Sequence, residues 1–190
     1  MFDNINKGFD IMEVDKKLPI FSTILANKDV INKNLISFIN EYKKENPISR
    51  QTNVKCDWRS SWNLHEDSRF KEFGDLLVDQ CNFVCQYHLN RDSHFQCTSM
   101  WAMQYESGSH AIPHDHFPSN LSAVYYVDVE PDSSPIIFED RVMFKPENGL
   151  LVLFPSILGH QVPTTYTKRM VISANLRAHV VNSDPNFSPS

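Results

Sequence analysis

Hydrophobic residues recur at helical spacing in two stretches of the first half of the chain. Between residues 28 and 44, apolar side chains fall three or four positions apart, and Asn46-Pro47 follows. A second stretch begins after Asp67 or Ser68, either of which can cap a helix, and ends near residue 88. The spacing predicts two amphipathic helices, with apolar faces Ile31, Leu35, Phe38 and Tyr42 in the first and Phe70, Phe73, Leu77, Val84 and Tyr87 in the second.

From residue 94 onward, the pattern changes to short β-type runs separated by glycine and proline. Helices followed by many strands predict a mainly β protein, in which N-terminal helices support a double-stranded β-helix core of the jelly-roll or cupin-like type. We interpret residues 1–190 as one domain, with helical support over 1–92, the β core over 93–178 and a flexible tail over 180–190. The predicted core strands cover residues 95–105, 121–129, 135–139, 150–154, 161–162 and 170–176, with an outer strand near 20–24 and a loop containing a short strand within 48–66.

Composition narrows the class of protein. The 190 residues carry a formal charge of −5 without a basic stripe, which argues against a nucleic-acid partner. No apolar run reaches membrane-spanning length, and the start MFDNINKGFD lacks the pattern of a signal peptide. The spacing of the four cysteines is not that of a zinc ribbon, which favours buried, reduced thiols and a cytoplasmic protein: Cys56, Cys81, Cys85 and Cys97.

The candidate chemistry centres on His114-Asp115-His116. Side chains at i and i+2 of an extended segment share a face, so His114 and His116 can bind one metal ion while Asp115 points away. His160, which follows a predicted strand and turn, can complete a three-ligand face with open positions. Arg169 is a permanent cation that can bind a carboxylate beside the metal. Three imidazoles suit iron, zinc, copper or manganese, and the lack of a cysteine in the motif argues against structural zinc.

The stretch 104–116, in which Tyr105 and Gly108 precede the histidine pair, resembles the start of the catalytic core of 2-oxoglutarate/Fe(II) dioxygenases. The similarity is strongest to the prolyl-hydroxylase-like branch. Residues 124–128, Val-Tyr-Tyr-Val-Asp, are similar to the next core strand of that branch. Residues 149–155 followed by His160 resemble the strand and turn before its distal histidine.

A narrower resemblance is to an oxygenase family found in bacteria and in phages of marine bacteria. It shares the H-x-H pair, the strand Ser122–Tyr126, the triplet Phe154-Pro155-Ser156 and the upstream Trp58-Arg59-Ser60. A phage-encoded member would act in the host cytoplasm. The resemblance covers roughly residues 15–178, and it implies no particular substrate.

The resemblance implies an enzyme that uses Fe(II) and 2-oxoglutarate. Such an enzyme decarboxylates 2-oxoglutarate to succinate and hydroxylates a substrate, here an unidentified peptide, protein or small molecule, with no catalytic side chain beyond the metal centre. The sequence does not indicate an oligomeric state. The implied roles are iron binding by His114, His116 and His160, binding of the far carboxylate of 2-oxoglutarate by Arg169 and Tyr125, and support of the cosubstrate by Tyr105 and Ser173.

The ligand set departs from the usual pattern of that superfamily, which is two histidines and one carboxylate. His116 occupies the carboxylate position. Three interpretations stay open: a working three-histidine iron centre, which we favour; a local bulge that turns Asp115 inward; or weakened iron binding. Because His116 is a large ligand rather than a small residue that opens the position, halogenation is not expected.

Two other functions compete with this reading. A three-histidine cupin dioxygenase would share the double-stranded β-helix and the histidines without using 2-oxoglutarate. Gly108 and Gly149 fit the starts of the two cupin motifs, but Asn120 and Leu121 stand where the first motif has a glutamate. The other alternative is a jelly-roll module that binds without catalysis.

Overall fold

The computed structural model describes residues 17–49, 52–89 and 93–179. Two long helices precede most of the strands, α1 (Lys28–Glu45) and α2 (Lys71–His88). Short 3-10 turns at Leu64–Glu66 and Ser68–Phe70 lead into α2, and Asp67 caps the second turn by accepting a hydrogen bond from the Arg69 backbone N–H at 3.0 Å. Both predicted helices are therefore confirmed within three residues at each end.

Eleven strands are present in the described part of the chain. Three short ones come early: β1 (Phe21–Ile24), β2 (Val54–Lys55) and β3 (Trp58–Arg59). The remaining strands are β4 (His94–Tyr105), β5 (His110–His114), β6 (Leu121–Val129), β7 (Ile136–Phe138), β8 (Val142–Phe144), β9 (Leu150–Pro155), β10 (His160–Val162) and β11 (Arg169–His179). The predicted core strands are all found, β5 and β8 are additions, and the region 48–66 holds two short strands rather than one.

The strands form two antiparallel sheets. The larger sheet has the order β1-β9-β6-β11-β4-β3, and the smaller has the order β2-β5-β10-β7-β8. This arrangement confirms the predicted mainly β, jelly-roll architecture. Among the described residues, no helix is long and apolar enough to cross a membrane. The tail predicted to be flexible, 180–190, lies outside the described residues.

Alternation along the strands divides the core into two apolar layers. One face of the larger sheet packs against the helices through residues such as Phe73, Leu77, Met100 and Ile172. The opposite face packs toward the smaller sheet through a separate cluster that includes Trp101, Met103, Tyr126 and Phe154. The candidate site lies on this second face, between the sheets. All four cysteines are buried, as expected.

Candidate metal centre

Three histidines converge at one end of the space between the sheets. His114 is the last residue of β5, His160 is the first residue of β10, and the two are register partners in the smaller sheet. His116 lies two residues beyond the end of β5. One ligand atom from each of the three rings lies within 4.8 Å of the others. The histidines predicted from the sequence thus form a possible metal site.

Asp115 does not belong to this group. Its side chain is exposed, and its Oδ1 accepts a hydrogen bond from the Phe117 backbone N–H at 3.0 Å. No bulge turns the carboxylate toward the three rings, since Asp115 is absent from the group of possible ligands found in the described residues. The arrangement favours the interpretation in which His116 occupies the third ligand position.

Hydrogen bonds fix the tautomers of two of the rings. Nδ1 of His114 lies 2.7 Å from the Ile112 carbonyl oxygen, and Nδ1 of His160 lies 3.0 Å from the Leu158 carbonyl oxygen. A carbonyl only accepts, so each Nδ1 carries the proton and donates it. Nε2 of each ring therefore keeps its lone pair, which is the form that binds a metal.

His116 is held differently, because it lies outside a strand. Its backbone N–H donates to the Ser156 carbonyl oxygen at 2.8 Å, which ties it to the turn after β9. Its ring contacts Trp101, with centroids 5.6 Å apart, and Phe154, with centroids 6.4 Å apart. Ser156 itself is completely buried, and its hydroxyl lies 2.8 Å from the Ser122 hydroxyl. The third histidine is thus positioned by the larger sheet.

Burial keeps the three imidazoles neutral. Loss of solvent around the charged form, together with the smaller effects of the neighbouring His160, His114 and Arg59, lowers the pKa of His116 to about 3. Burial likewise lowers the pKa of His160 to about 4, assisted by the nearby His114. The pKa of His114 is also lowered, again mainly by burial. Neutral rings near pH 7 are ready to bind a cation.

The histidines open onto a cavity of about 340 Å³ between the sheets. Its lining also includes Arg169, Tyr105 and Ser173, three of the residues predicted to surround a cosubstrate. Arg169, Val171 and Ser173 occupy alternate positions on β11. Their side chains therefore share one face of the strand, as the spacing in the sequence predicts. The topology therefore brings the predicted cation and the three histidines together in one chamber.

Arg169 is 4% exposed and has an incomplete set of hydrogen bonds. Its Nη1 donates to the Ser134 carbonyl oxygen at 2.6 Å, and its guanidinium carbon lies 4.2 Å from the centroid of the Tyr105 ring. Its buried Nε–H finds no acceptor among the described residues. A buried guanidinium with an unused donor is a strong site for a carboxylate, since a buried polar group without a partner is costly.

Tyr105 lines the same end of the cavity as Arg169. The Tyr105 hydroxyl is buried and lies 3.8 Å from the Met103 sulfur. Burial raises the pKa of Tyr105, and the nearby Arg169 offsets part of that rise. The phenol is therefore protonated at neutral pH and can donate a hydrogen bond to an anion in the cavity.

The structure resembles solved oxygenases. A Trichoplax adhaerens prolyl hydroxylase in complex with a hypoxia inducible factor peptide fragment is 15% identical, with a TM-score of 0.62 over 84% of this chain and 83% of that chain. The viral collagen prolyl hydroxylase of Paramecium Bursaria Chlorella virus-1, in a 2OG complex, is 12% identical to this chain. Its TM-score is 0.57, and the match covers 85% of this chain and 96% of that chain. The alpha ketoglutarate dependent epimerase SnoN of nogalamycin biosynthesis is 10% identical to this chain. Its TM-score is 0.60, and the match covers 90% of this chain and 86% of that chain.

The fold is that of the 2-oxoglutarate/Fe(II) oxygenases. This confirms, at the level of the fold, the resemblance seen in the sequence motifs. No family profile matches the chain, and no curated protein matches it in sequence.

Within this oxygenase fold, Tyr125 does not lie where the motif comparison predicts. Its side chain faces the helices, where the hydroxyl donates to Asn32 Oδ1 of α1 at 2.6 Å and the ring centroid lies 5.1 Å from that of Phe73. Because side chains alternate along β6, the next residue, Tyr126, lines the cavity instead. The position of Tyr125 contradicts the predicted contact with the cosubstrate, and Tyr126 is the tyrosine of this strand that can make it.

Arg59 is a further cavity residue that has no clear signal in the hydrophobic pattern. Arg59, on the two-residue strand β3, is 2% exposed and lines the chamber. Its guanidinium carbon lies 4.1 Å from the Trp62 ring centroid and 5.4 Å from the Trp101 ring centroid. The upstream Trp58-Arg59-Ser60 motif marks the segment, but its distance in sequence from the histidines hides its place beside them.

Proposed function

We propose that this chain is a 2-oxoglutarate- and Fe(II)-dependent dioxygenase that hydroxylates its substrate at a three-histidine iron site. The observation that carries the proposal is the buried Arg169 guanidinium, with its unused Nε–H, in the same chamber as the three imidazoles. A metal-binding face and a carboxylate-binding cation in one small cavity match the two ends of 2-oxoglutarate.

The residues fit both groups. The Nε2 atoms of His114 and His160 carry lone pairs, and the His116 ring completes a neutral nitrogen donor set that suits Fe(II). Arg169 and protonated Tyr105 would hold the far carboxylate of 2-oxoglutarate. When bound, iron and 2-oxoglutarate supply the oxidising chemistry, in which decarboxylation to succinate accompanies hydroxylation of a C–H bond.

The protein's own contribution is orientation and exclusion of water. The Ile112 and Leu158 carbonyl groups hold two imidazole rings at fixed angles through their Nδ1–H donors. The apolar walls, which include Val124, Phe154 and Val171, limit the water that can reach the reacting atoms. Replacing the usual carboxylate ligand by His116 removes one negative charge, which strengthens attraction for the dianionic cosubstrate.

The cupin alternative has the same architecture, so the fold does not separate the two enzymes. The buried guanidinium does, because a cupin dioxygenase without 2-oxoglutarate has no need for a carboxylate partner opposite the metal. Arg169 therefore favours the 2-oxoglutarate enzyme. Location in the cytoplasm, or in the host cytoplasm for a phage protein, stays a prediction from composition.

The proposal is tested by turnover without a primary substrate. Protein purified without oxygen is supplied with Fe(II), 2-oxoglutarate and then air, and succinate is quantified. We expect slow, iron-dependent formation of succinate that is lost in His160→Ala and absent when Zn(II) replaces Fe(II). If Fe(II) neither binds nor supports succinate formation, and 2-oxoglutarate does not raise the melting temperature, the non-catalytic jelly-roll module is the better description.

A further inference from the structure

Arg59 is a second buried cation in the chamber, and the proposed enzyme leaves it without a role. Its guanidinium carbon lies over two indole rings, 4.1 Å from the Trp62 centroid and 5.4 Å from the Trp101 centroid. Stacking of this kind occupies the flat faces of the guanidinium, while its N–H bonds point outward in the plane. That is the geometry with which arginine binds a carboxylate through two parallel hydrogen bonds.

Arg59 is placed beside the metal site, two strands from Arg169 in the larger sheet. Trp101 contacts both the Arg59 guanidinium, at 5.4 Å, and the His116 ring, at 5.6 Å. Arg59 lies on the edge strand β3, whereas Arg169 lies on β11, with β4 between them. An anion held at Arg59 would therefore lie one aromatic ring from a metal ligand, on the open edge of the larger sheet.

The charge of the chamber favours an acidic ligand. Among the charged side chains that line it, Arg59 and Arg169 are cations, and the carboxylate of Asp115 is exposed. In the proposed enzyme, one carboxylate of 2-oxoglutarate binds the metal and the other engages Arg169. Arg59 then supplies a second positive charge in the cavity, separated from the His116 ring by Trp101.

The shape of the chamber limits the size of that ligand. A cavity of about 340 Å³ is at the small end of the range of ligand pockets, roughly 300–1,000 Å³, and it must also hold the cosubstrate. Trp62 is 43% exposed and marks the side from which a ligand can reach Arg59. The chamber can admit a small acid or one acidic side chain of a peptide.

We propose that Arg59, held against Trp62 and Trp101, binds a carboxylate of the primary substrate, so that the enzyme oxidises carboxylate-bearing compounds. This inference rests on the proposed function, since it assigns the substrate class of that same site. The shared chemistry is a carboxylate next to a short apolar segment, supplied either by a free acid or by a glutamate side chain.

Thermal unfolding with two carboxylate probes tests the inference. Protein loaded with Mn(II) and saturating 2-oxoglutarate is melted with benzoate or with neutral benzamide, at constant ionic strength. We expect benzoate at tenfold its Kd to raise the melting temperature by about 3–5 °C, and benzamide to leave it unchanged. Arg59→Gln should abolish the benzoate shift, and Arg177→Gln, an exposed arginine on β11, should keep it.

A second probe separates the two sources of the carboxylate. Acetyl-Gly-Glu-Gly-amide is compared with its glutamine counterpart under the same conditions. A shift that depends on Arg59 with benzoate alone assigns a free acid, and one with the glutamate peptide assigns an acidic side chain. Absence of a shift with both acids, or equal shifts in wild type and Arg59→Gln, overturns the inference.

The same measurements keep this inference separate from the proposed function. If 2-oxoglutarate fails to stabilise the Mn(II)-loaded wild type, the proposed function fails, whatever benzoate does. If 2-oxoglutarate stabilises the protein and the carboxylate probes do not, only the Arg59 assignment fails. Should Arg59→Gln lack the wild-type circular dichroism, Trp62→Ala replaces it, and removal of this ring should cost about half of the benzoate shift.

Discussion

Replacing Arg169 by methionine is the most direct test of the proposal that Arg169 binds the far carboxylate of 2-oxoglutarate. Methionine keeps a long, unbranched side chain on β11 but removes the guanidinium. A hydrogen bond to a charged group contributes about 1.5–3 kcal/mol, and two donors facing one carboxylate contribute about 3–4 kcal/mol together. Since about 1.4 kcal/mol corresponds to a tenfold change, the Kd for 2-oxoglutarate should rise roughly 100- to 1,000-fold.

The stability of the fold should change much less. The substitution loses the hydrogen bond from Nη1 to the Ser134 carbonyl oxygen and the contact with the Tyr105 ring. It also removes a buried Nε–H that has no acceptor in the described structure. These effects oppose each other, so the free energy of unfolding should stay within about 1 kcal/mol of wild type.

The assay is calorimetric titration of 2-oxoglutarate into Mn(II)-loaded protein. Arg177→Met on the same strand is the matched control, because Arg177 is exposed and should leave the Kd unchanged. If Arg169→Met has normal circular dichroism and binds 2-oxoglutarate with a Kd within threefold of wild type, Arg169 does not bind the cosubstrate carboxylate. Arg169 would then have a structural role only, and it would no longer favour the 2-oxoglutarate enzyme over a cupin dioxygenase.

Three other perturbations test the metal ligands and the position of Tyr125. His116→Asp should lower Fe(II) affinity at least about tenfold, measured by metal competition, because even changes outside the ligand set cost 10–100-fold in metal sites; unchanged affinity would show that the site accepts the usual carboxylate. His160 alone should account for about 2–3 kcal/mol of the stability that the metal-free protein loses between pH 7.5 and 4.5 in urea unfolding, because the unfolded His160 takes up its proton near pH 6.5 and the folded one only near its pKa of about 4; His160→Gln should reduce the loss by about this amount. Tyr125→Phe should cost about 1–3 kcal/mol of stability through the lost bond to Asn32 while leaving the Kd for 2-oxoglutarate unchanged, and a weakened Kd would contradict its placement on the helical face.

The sequence predicts those features that depend on local spacing. The period of the apolar residues identifies both helices, and the β-type runs identify the long core strands within a few residues. The histidine triad is also predictable, because His114 and His116 are neighbours and His160 follows a strand that ends in a turn. These features need no knowledge of which elements lie beside each other in space.

Two kinds of feature are harder to predict from the sequence: the face of a strand on which a residue lies, and contacts between segments far apart in the chain. On β6, every residue from Leu121 to Val127 is buried, so hydrophobicity does not reveal which face meets the helices. The motif comparison therefore selects Tyr125, although the alternation set by the sheet places Tyr126 in the chamber. Arg59 is hidden for another reason, since a two-residue strand carries no periodic signal and its neighbour β4 begins more than thirty residues later.

The position of His116 outside β5 separates the choice of metal ligand from the pairing of the strands. Among the described residues, no ladder hydrogen bond of the smaller sheet depends on His116, whose backbone N–H bonds instead to the Ser156 carbonyl oxygen in the turn after β9. A change of side chain there alters the donor atom offered to a metal without disturbing strand pairing. A single substitution at this position can thus exchange an imidazole donor for a carboxylate while the β scaffold stays as it is.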